Sequence, residues 1–142
     1  MTGFLLDTNC ISEVVRPRPE RRVVEWIEGT DEGLLYLSVL TLGEIRKGVA
    51  GLGQGKRRSL LARWLDTDLP ARFSGRILPI DQPIADRWGL ISAEAKRHGK
   101  PVATIDGLLA ATALHFDLTL VTRNASDFAP TRVPLLNLWE VM

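Results

Sequence analysis

The sequence predicts an α/β fold built on a mainly parallel sheet. Short apolar runs alternate with longer amphipathic stretches along the whole chain. The short runs are rich in Leu, Ile and Val and too brief for buried helices, which makes them strands. The stretches between them space their apolar residues at helical intervals, and strand–helix–strand alternation favours parallel pairing.

In order along the chain, residues 3–7 read as the first strand. A helix start follows Pro19, with Val23, Val24 and Ile27 on one face. Residues 34–38 read as the second strand, and "SVLTLGEIRKG" opens a helix directly after it. Leu60, Leu61, Trp64 and Leu65 make the stripe of another helix, and residues 77–80 a third strand. Ile84, Trp88, Ile91 and Ala95 recur at i, i+4, i+7 and i+11 and stop before Gly99. Leu109, Ala113 and Phe116, at i, i+4 and i+7, define the last long helix. Residues 119–122 and 135–138 complete the sheet. In such sheets ligands bind outside the carboxyl ends of the strands.

At 142 residues the chain is expected to form one domain over residues 1–142, long enough to bury a real core. A composition of 45% hydrophobic and 25% charged residues excludes disordered and collagen-like classes. No apolar run approaches the roughly 20 residues of a bilayer span, so no membrane association is expected. The start "MTGFLLDTN" has neither the basic nor the apolar region of a signal peptide. Cys10 is the one cysteine, so an internal disulfide is impossible, in keeping with a reducing cytoplasm. The most glycine-rich stretch, "AGLGQGKRRS", lacks the first Gly and the final Ser or Thr of a phosphate loop, and follows a helical pattern rather than a strand. It reads as a mobile connection between helices.

"FLLDTN" poses the functional question: its apolar strand ends on a carboxylate, Asp7. Burying such a group is costly unless it is hydrogen-bonded, paired or bound to a metal. Other carboxylates recur at matching places. Glu44 lies in the helix after the second strand, expected in its first turn. Asp106 opens the helix of "TIDGLLAATA". In "TLVTRNASDF", Asn124 stands just past a strand and Asp127 three residues on. Strand exits and helix entrances gather at one sheet edge, where a carboxylate cluster could hold a hard divalent cation. Such a cluster could activate water and stabilise charge on a phosphodiester.

Each residue also fits local capping. Asp7, Thr8 and Asn9 are preferred helix N-caps. Thr41 and Glu44 have capping-box spacing. Asp106 can cap its own helix, and Asn124 and Asp127 suit a turn. Net charge is +1, which offers no strong electrostatic footprint for nucleic acid. Were four acids neutralised in a metal cleft, 18 basic residues would face 13 acidic ones, a balance of +5.

"LLDTN", "TLGEIRKG", "DGLLAATA" and "LVTRNASDF", in that order and followed by "VPLLNLWE", resemble the PIN-domain ribonucleases. The resemblance is closest to the VapC/FitB-like toxins of bacterial toxin–antitoxin pairs. It implies a PIN-like three-layer α/β/α sandwich and an endoribonuclease dependent on Mg²⁺ or Mn²⁺. It assigns Asp7, Glu44 and Asp106 as metal-holding acids that position the attacking hydroxide. The fourth family position, often Asp, falls at or beside Asn124: either Asn124 coordinates through its amide oxygen, without charge, or Asp127 supplies the missing carboxylate instead. Thr8, Asn9 and Thr122 become hydrogen-bonding groups that orient the acids. The resemblance further implies an RNA substrate, a small cognate antitoxin, a homodimer within a toxin–antitoxin hetero-oligomer, and operator DNA contacted through the antitoxin. Residues 23–27 and 60–65 are the candidate apolar surfaces for a partner, alongside a role in core packing.

Other residues point less clearly to chemistry. His98 and His115 lack the neighbours of a zinc site, and His98 suits a helix C-terminus. Cys10 reads as a small hydrophobe. Arg16, Arg18, Arg21 and Arg22 could line an RNA path or form a solvated face. Two other functions remain open on residue patterns alone. An aspartyl-phosphate phosphatase would use Asp7 as nucleophile but needs an acid at position 9, where Asn9 stands. A non-catalytic binding module would use the acids only as caps.

Overall fold

The computed structural model describes residues 2–140. The sheet holds five short strands: β1 (Phe4–Leu6), β2 (Leu35–Ser38), β3 (Ile77–Leu78), β4 (Thr119–Val121) and β5 (Leu135–Leu136). All neighbours pair in parallel, in the order β3-β2-β1-β4-β5. β1 is central, with Leu5 facing Tyr36 on one side and Leu120 on the other. Every strand is shorter than the apolar run that predicted it. Leu34 belongs to a 3₁₀ turn, and Thr122 and Leu138 lie beyond their strands although both are buried.

Side-chain alternation splits the core into two layers. Leu6, Leu35, Leu37, Val121 and Leu136 point to one face of the sheet. There they join α2 (Arg21–Gly29) through Val23 and Ile27, α3 (Val39–Ala50) through Ile45 and Val49, and α5 (Leu69–Arg72) through Leu69. Leu5, Tyr36, Leu78, Leu120 and Leu135 point the other way, onto α7 (Thr104–His115) through Leu109, Ala110 and Ala113. One-residue steps along a strand invert the face, so "FLL" feeds both layers. The three-layer α/β/α expectation holds.

α6 (Gln82–Arg97) packs over α7 from outside. Because α7 is covered by the sheet and by α6, its buried residues run almost all round it. Phe116, expected on its stripe, is instead the C-cap and 40% exposed. α6 does bury Ile84 and Ala95 as the spacing requires. Its chain reverses at Gly99, whose φ of +72° is the left-handed value that favours glycine after a helix.

The remaining helices are α1 (Thr8–Ile11), α4 (Lys56–Arg63) and α8 (Ala125–Phe128). The stripe at residues 60–65 spans the end of α4 and the first turn of a π-helical segment, Trp64–Asp68. The glycine-rich stretch does connect two helices, through residues 51–55, while its ends belong to them: Ala50 ends α3, and Lys56, Arg57, Arg58 and Ser59 begin α4. The candidate partner surfaces are mostly core, since Val23, Ile27 and Leu65 are buried, while Leu60 is 59% exposed. Among the described residues no helix is long and apolar enough to cross a membrane.

Candidate active site

The chain runs from β1 to β2 and β3 on one side of the sheet, then crosses back to β4 and β5 on the other. The crevice beyond the carboxyl ends of β1 and β4 is therefore the switch point of the topology, where open α/β sheets bind ligands. Asp7 leaves β1 at this point, and Thr122 leaves β4 beside it.

Asp7 is 7% exposed, and both of its carboxylate oxygens are occupied. Thr8 N–H donates to Oδ1 at 2.7 Å, and Thr122 Oγ1 donates to Oδ2 at 2.8 Å. Thr122 Oγ1 in turn accepts from Asn124 N–H at 3.0 Å and, more weakly, from Asn9 Nδ2 at 3.4 Å. Asn9 Oδ1 accepts from Arg123 N–H at 3.2 Å. One hydroxyl thus ties the β1 exit to the β4 exit. Thr8 and Thr122 bond a carboxylate directly, whereas the Asn9 side chain hydrogen-bonds no described acid and reaches Asp7 only through Thr122.

Glu44 reaches the same place from α3, where Thr8 Oγ1 donates to its Oε1 at 2.5 Å. This contact corrects the capping-box reading. α3 begins three residues earlier than that reading requires, capped by Ser38, whose Oγ accepts from Leu40 N–H at 3.0 Å. Glu44 therefore sits in the second turn and not the first. Thr41 is fully buried, with a hydroxyl that has no hydrogen-bond partner. Ser38 is the residue sequence reasoning missed: Ser at a strand end is a strong N-cap signal, but Thr41-x-x-Glu44 offered a competing one.

Asp106 lies in the first turn of α7, whose N-cap is Ala103, so it does not cap its own helix. Asn124 is the N-cap of α8 without a side-chain capping bond, and Asp127 lies in that helix's first turn with its N–H bonded to Asn124 O at 3.0 Å. Both Asn124 and Asp127 are exposed.

These carboxylates feel one another. Burial pushes Asp7 up to about 6, the Thr122 and Thr8 hydrogen bonds pull against it, and the charges of Glu44 and Asp106 push with it. Asp106 is also raised, by burial first, then by the charge of Asp127 and of Glu44. Asp7, Glu44, Asp106 and Asp127 thus share one electrostatic neighbourhood. They do not close into a tight shell: among the described residues no three His, Cys, Asp or Glu side chains form a ready metal-ligand group. The donor set is nevertheless all oxygen, and like charges crowd a buried carboxylate that a cation would relieve. A hydrated hard ion fits such a loose set, since Mg²⁺ retains several waters.

The other candidates fall elsewhere. His98 Nδ1 lies 2.9 Å from Glu94 O at the end of α6, and His115 packs edge-on against Phe116. Cys10 is fully buried and its thiol is pushed up to about 12, chiefly by burial, which makes it inert. Of the basic run, Arg16 pairs with Glu13, Arg21 with Glu25 and Arg22 with Glu20.

Residues 4–132 match the family model described as the PIN domain. Toxin FitB of Neisseria gonorrhoeae is 44% identical over 137 residues, covering 96% of this chain and 99% of that protein. VapC ribonuclease Y4jK of Sinorhizobium fredii is 36% identical over 137 residues, covering 96% of this chain and 98% of its own length. The solved structure of FitAB bound to an IR36 DNA fragment superposes with a TM-score of 0.92 at 41% identity, covering 98% of this chain and 97% of that one.

Proposed function

The chain belongs to the PIN-domain family, and from that premise we propose that it is a single-domain endoribonuclease dependent on Mg²⁺ or Mn²⁺, the toxin of a toxin–antitoxin pair. The observation that carries this reading is Asp7: a buried carboxylate at the sheet's switch point, held by Thr8 and Thr122 and crowded by Glu44 and Asp106. A protein with no cation to bind would gain nothing from that crowding.

Asp7, Glu44 and Asp106 would hold the ion, and Asp127 adds charge on the Asp106 side. Bound there, a divalent cation supplies an acidified water and a positive charge at the phosphodiester. The chain's own residues do the positioning. Thr122 and Thr8 fix the Asp7 carboxylate, and Thr8 bridges it to Glu44, so a single threonine sets the spacing of two acids. Asn9 is bonded on both sides of its amide, to Thr122 and to Arg123 N–H. A carboxamide does not ionise and so cannot transfer a proton, which removes the acid/base group that an aspartyl-phosphate mechanism needs.

Similar solved structures include FitAB and VapBC bound to DNA and a toxin–antitoxin complex from Klebsiella pneumoniae. By that likeness this chain works in the cytoplasm as a homodimer within a toxin–antitoxin assembly, the antitoxin contacting operator DNA. The test is direct. Purified protein should cleave RNA with Mg²⁺ or Mn²⁺, stop with EDTA, and lose activity in both Asp7→Asn and Asp106→Asn. Cleavage undiminished in the two variants would refute the assignment.

A further inference from the structure

A groove of about 370 Å³ opens directly from the acid cleft, since Thr8 and Glu44 line it as well as the site. Its floor is apolar, with Leu61 and Trp64 among its walls, and two guanidinium groups stand over it, Arg16 and Arg57. They come from segments far apart in the chain, and the fold fixes both. Arg16 Nη1 bonds Glu13 at 3.2 and 3.4 Å, and Glu13 is itself buried, its second oxygen also accepting Glu20 N–H at 2.6 Å. Arg57 Nη2 donates to Val15 O at 3.1 Å, so the α4 side of the groove is stitched to the turn that carries Arg16. Each anchor uses only part of a guanidinium, which has five donors, and both arginines remain exposed.

Anchored cations beside an acidic cleft call for an anionic ligand that passes from one to the other. We propose that this groove carries the RNA strand flanking the scissile bond, with Arg16 and Arg57 binding backbone phosphates and the Trp64–Leu61 wall receiving bases. The assignment rests on the ribonuclease reading and adds a strand path to it. Arg forks match phosphate oxygens in pairs, and apolar or aromatic surface accepts any base by its face. Trp64 opens the π-helical segment, an irregularity frequent at functional sites. A protein segment is the other possible occupant, but continuity with the carboxylates favours the polymer cleaved there.

Binding of a short single-stranded 2′-O-methyl oligoribonucleotide in EDTA, followed by fluorescence anisotropy across a salt series, tests the path without cleavage. Arg57→Gln should weaken binding roughly tenfold and lower the salt slope by about one, as loss of a phosphate contact does. Arg16→Gln, which keeps an amide donor for Glu13, should act in the same direction. Both should leave the Mn²⁺-induced rise in Tm intact. Unchanged affinity and slope in folded Arg57→Gln would overturn the path, and so would weakened binding of an acidic peptide alone. No binding of the oligonucleotide by the unaltered protein would instead count against the ribonuclease reading itself.

Discussion

Thr122 Oγ1 donates to Asp7 Oδ2 at 2.8 Å across 115 positions of sequence, joining the exits of β1 and β4 through a fully buried hydroxyl. The bond favours the charged carboxylate and works against the burial that raises Asp7. Thr122→Val should therefore raise Asp7 further and leave Asn124 N–H without its acceptor. A stability loss of about 1–3 kcal/mol follows from removing one partner of a buried bond. The acid limb of the pH–rate profile should move to higher pH. Thr122→Ser should keep both properties near those of the unaltered protein. A valine variant with an unmoved acid limb would show that the hydroxyl does not control Asp7.

Burial gives metal-free protein a pH dependence of definite sign. Asp7 stands near 6 when folded against an ordinary 3.8, so the native state holds its proton more tightly than the unfolded chain. Its contribution to stability is complete below about pH 4 and is lost as pH rises through about 6. The span is worth at most roughly 3 kcal/mol. Asp106, also raised, adds in the same direction. In EDTA, Asp7→Asn should thus be more stable than the unaltered protein at pH 7.5, with the advantage shrinking toward pH 4. Mn²⁺ at pH 7.5 should reverse the order, because binding to the native state stabilises by mass action. Urea melts at the two pH values measure this, and a difference independent of pH would defeat the account.

Asp7 was legible because an apolar strand ending in an acid breaks a burial rule, a breach that its two hydrogen bonds and its place as the N-cap of α1 make tolerable. Glu44 and Asp106 were legible as places but not as roles, since helix starts attract acids for capping as well. The structure takes both away from the caps, since Ser38 precedes α3 and Ala103 precedes α7. Thr8 reaches Glu44 across 36 positions, and Ser38 takes the cap that Thr41 was expected to share. Periodicity carried the last long helix one residue too far: Phe116 continues the spacing but stands at the cap, where the chain turns toward β4. The groove over Arg16 and Arg57 was invisible for the same reason. Val15 and Arg57 lie 42 positions apart and meet only through tertiary packing.

In the proposed site, Asn124 and Asp127 share the place of one aspartate. Asn124 brings an amide to the β4 exit, and Asp127, one helical turn on, is the charge that most strongly raises Asp106 after burial. Asp127→Asn should lower Asp106 toward its ordinary range and weaken Mn²⁺ binding several-fold, read as a smaller metal-induced rise in Tm. Asn124→Asp should tighten Mn²⁺ binding by adding charge near Asp7. Combining the two should restore affinity close to that of the unaltered chain if the carboxylates are interchangeable. An Asp127→Asn variant with an unchanged Tm response would remove Asp127 from the site.

Gly107 follows Asp106 immediately, and a Cβ there would meet Trp88 Cδ1 at 2.9 Å and Nε1 at 3.0 Å. The contact lies where α7 approaches α6, in the first turn of α7. An indole wedged between two helices is not the free end of a flexible side chain, so Gly107→Ala must push the helices apart. Overpacking of this kind costs about 1–3 kcal/mol, outweighing the gain in helix propensity of up to about 1 kcal/mol that Ala has over Gly. Tm should fall. Because Asp106 rides on the displaced turn, the Mn²⁺-induced rise in Tm should shrink too. Gly107→Ala with Trp88→Leu should recover part of both losses, since the shorter side chain vacates the contact. Gly107→Ala that raises Tm would mean that the α6–α7 approach is loose and that Asp106 is positioned by something else.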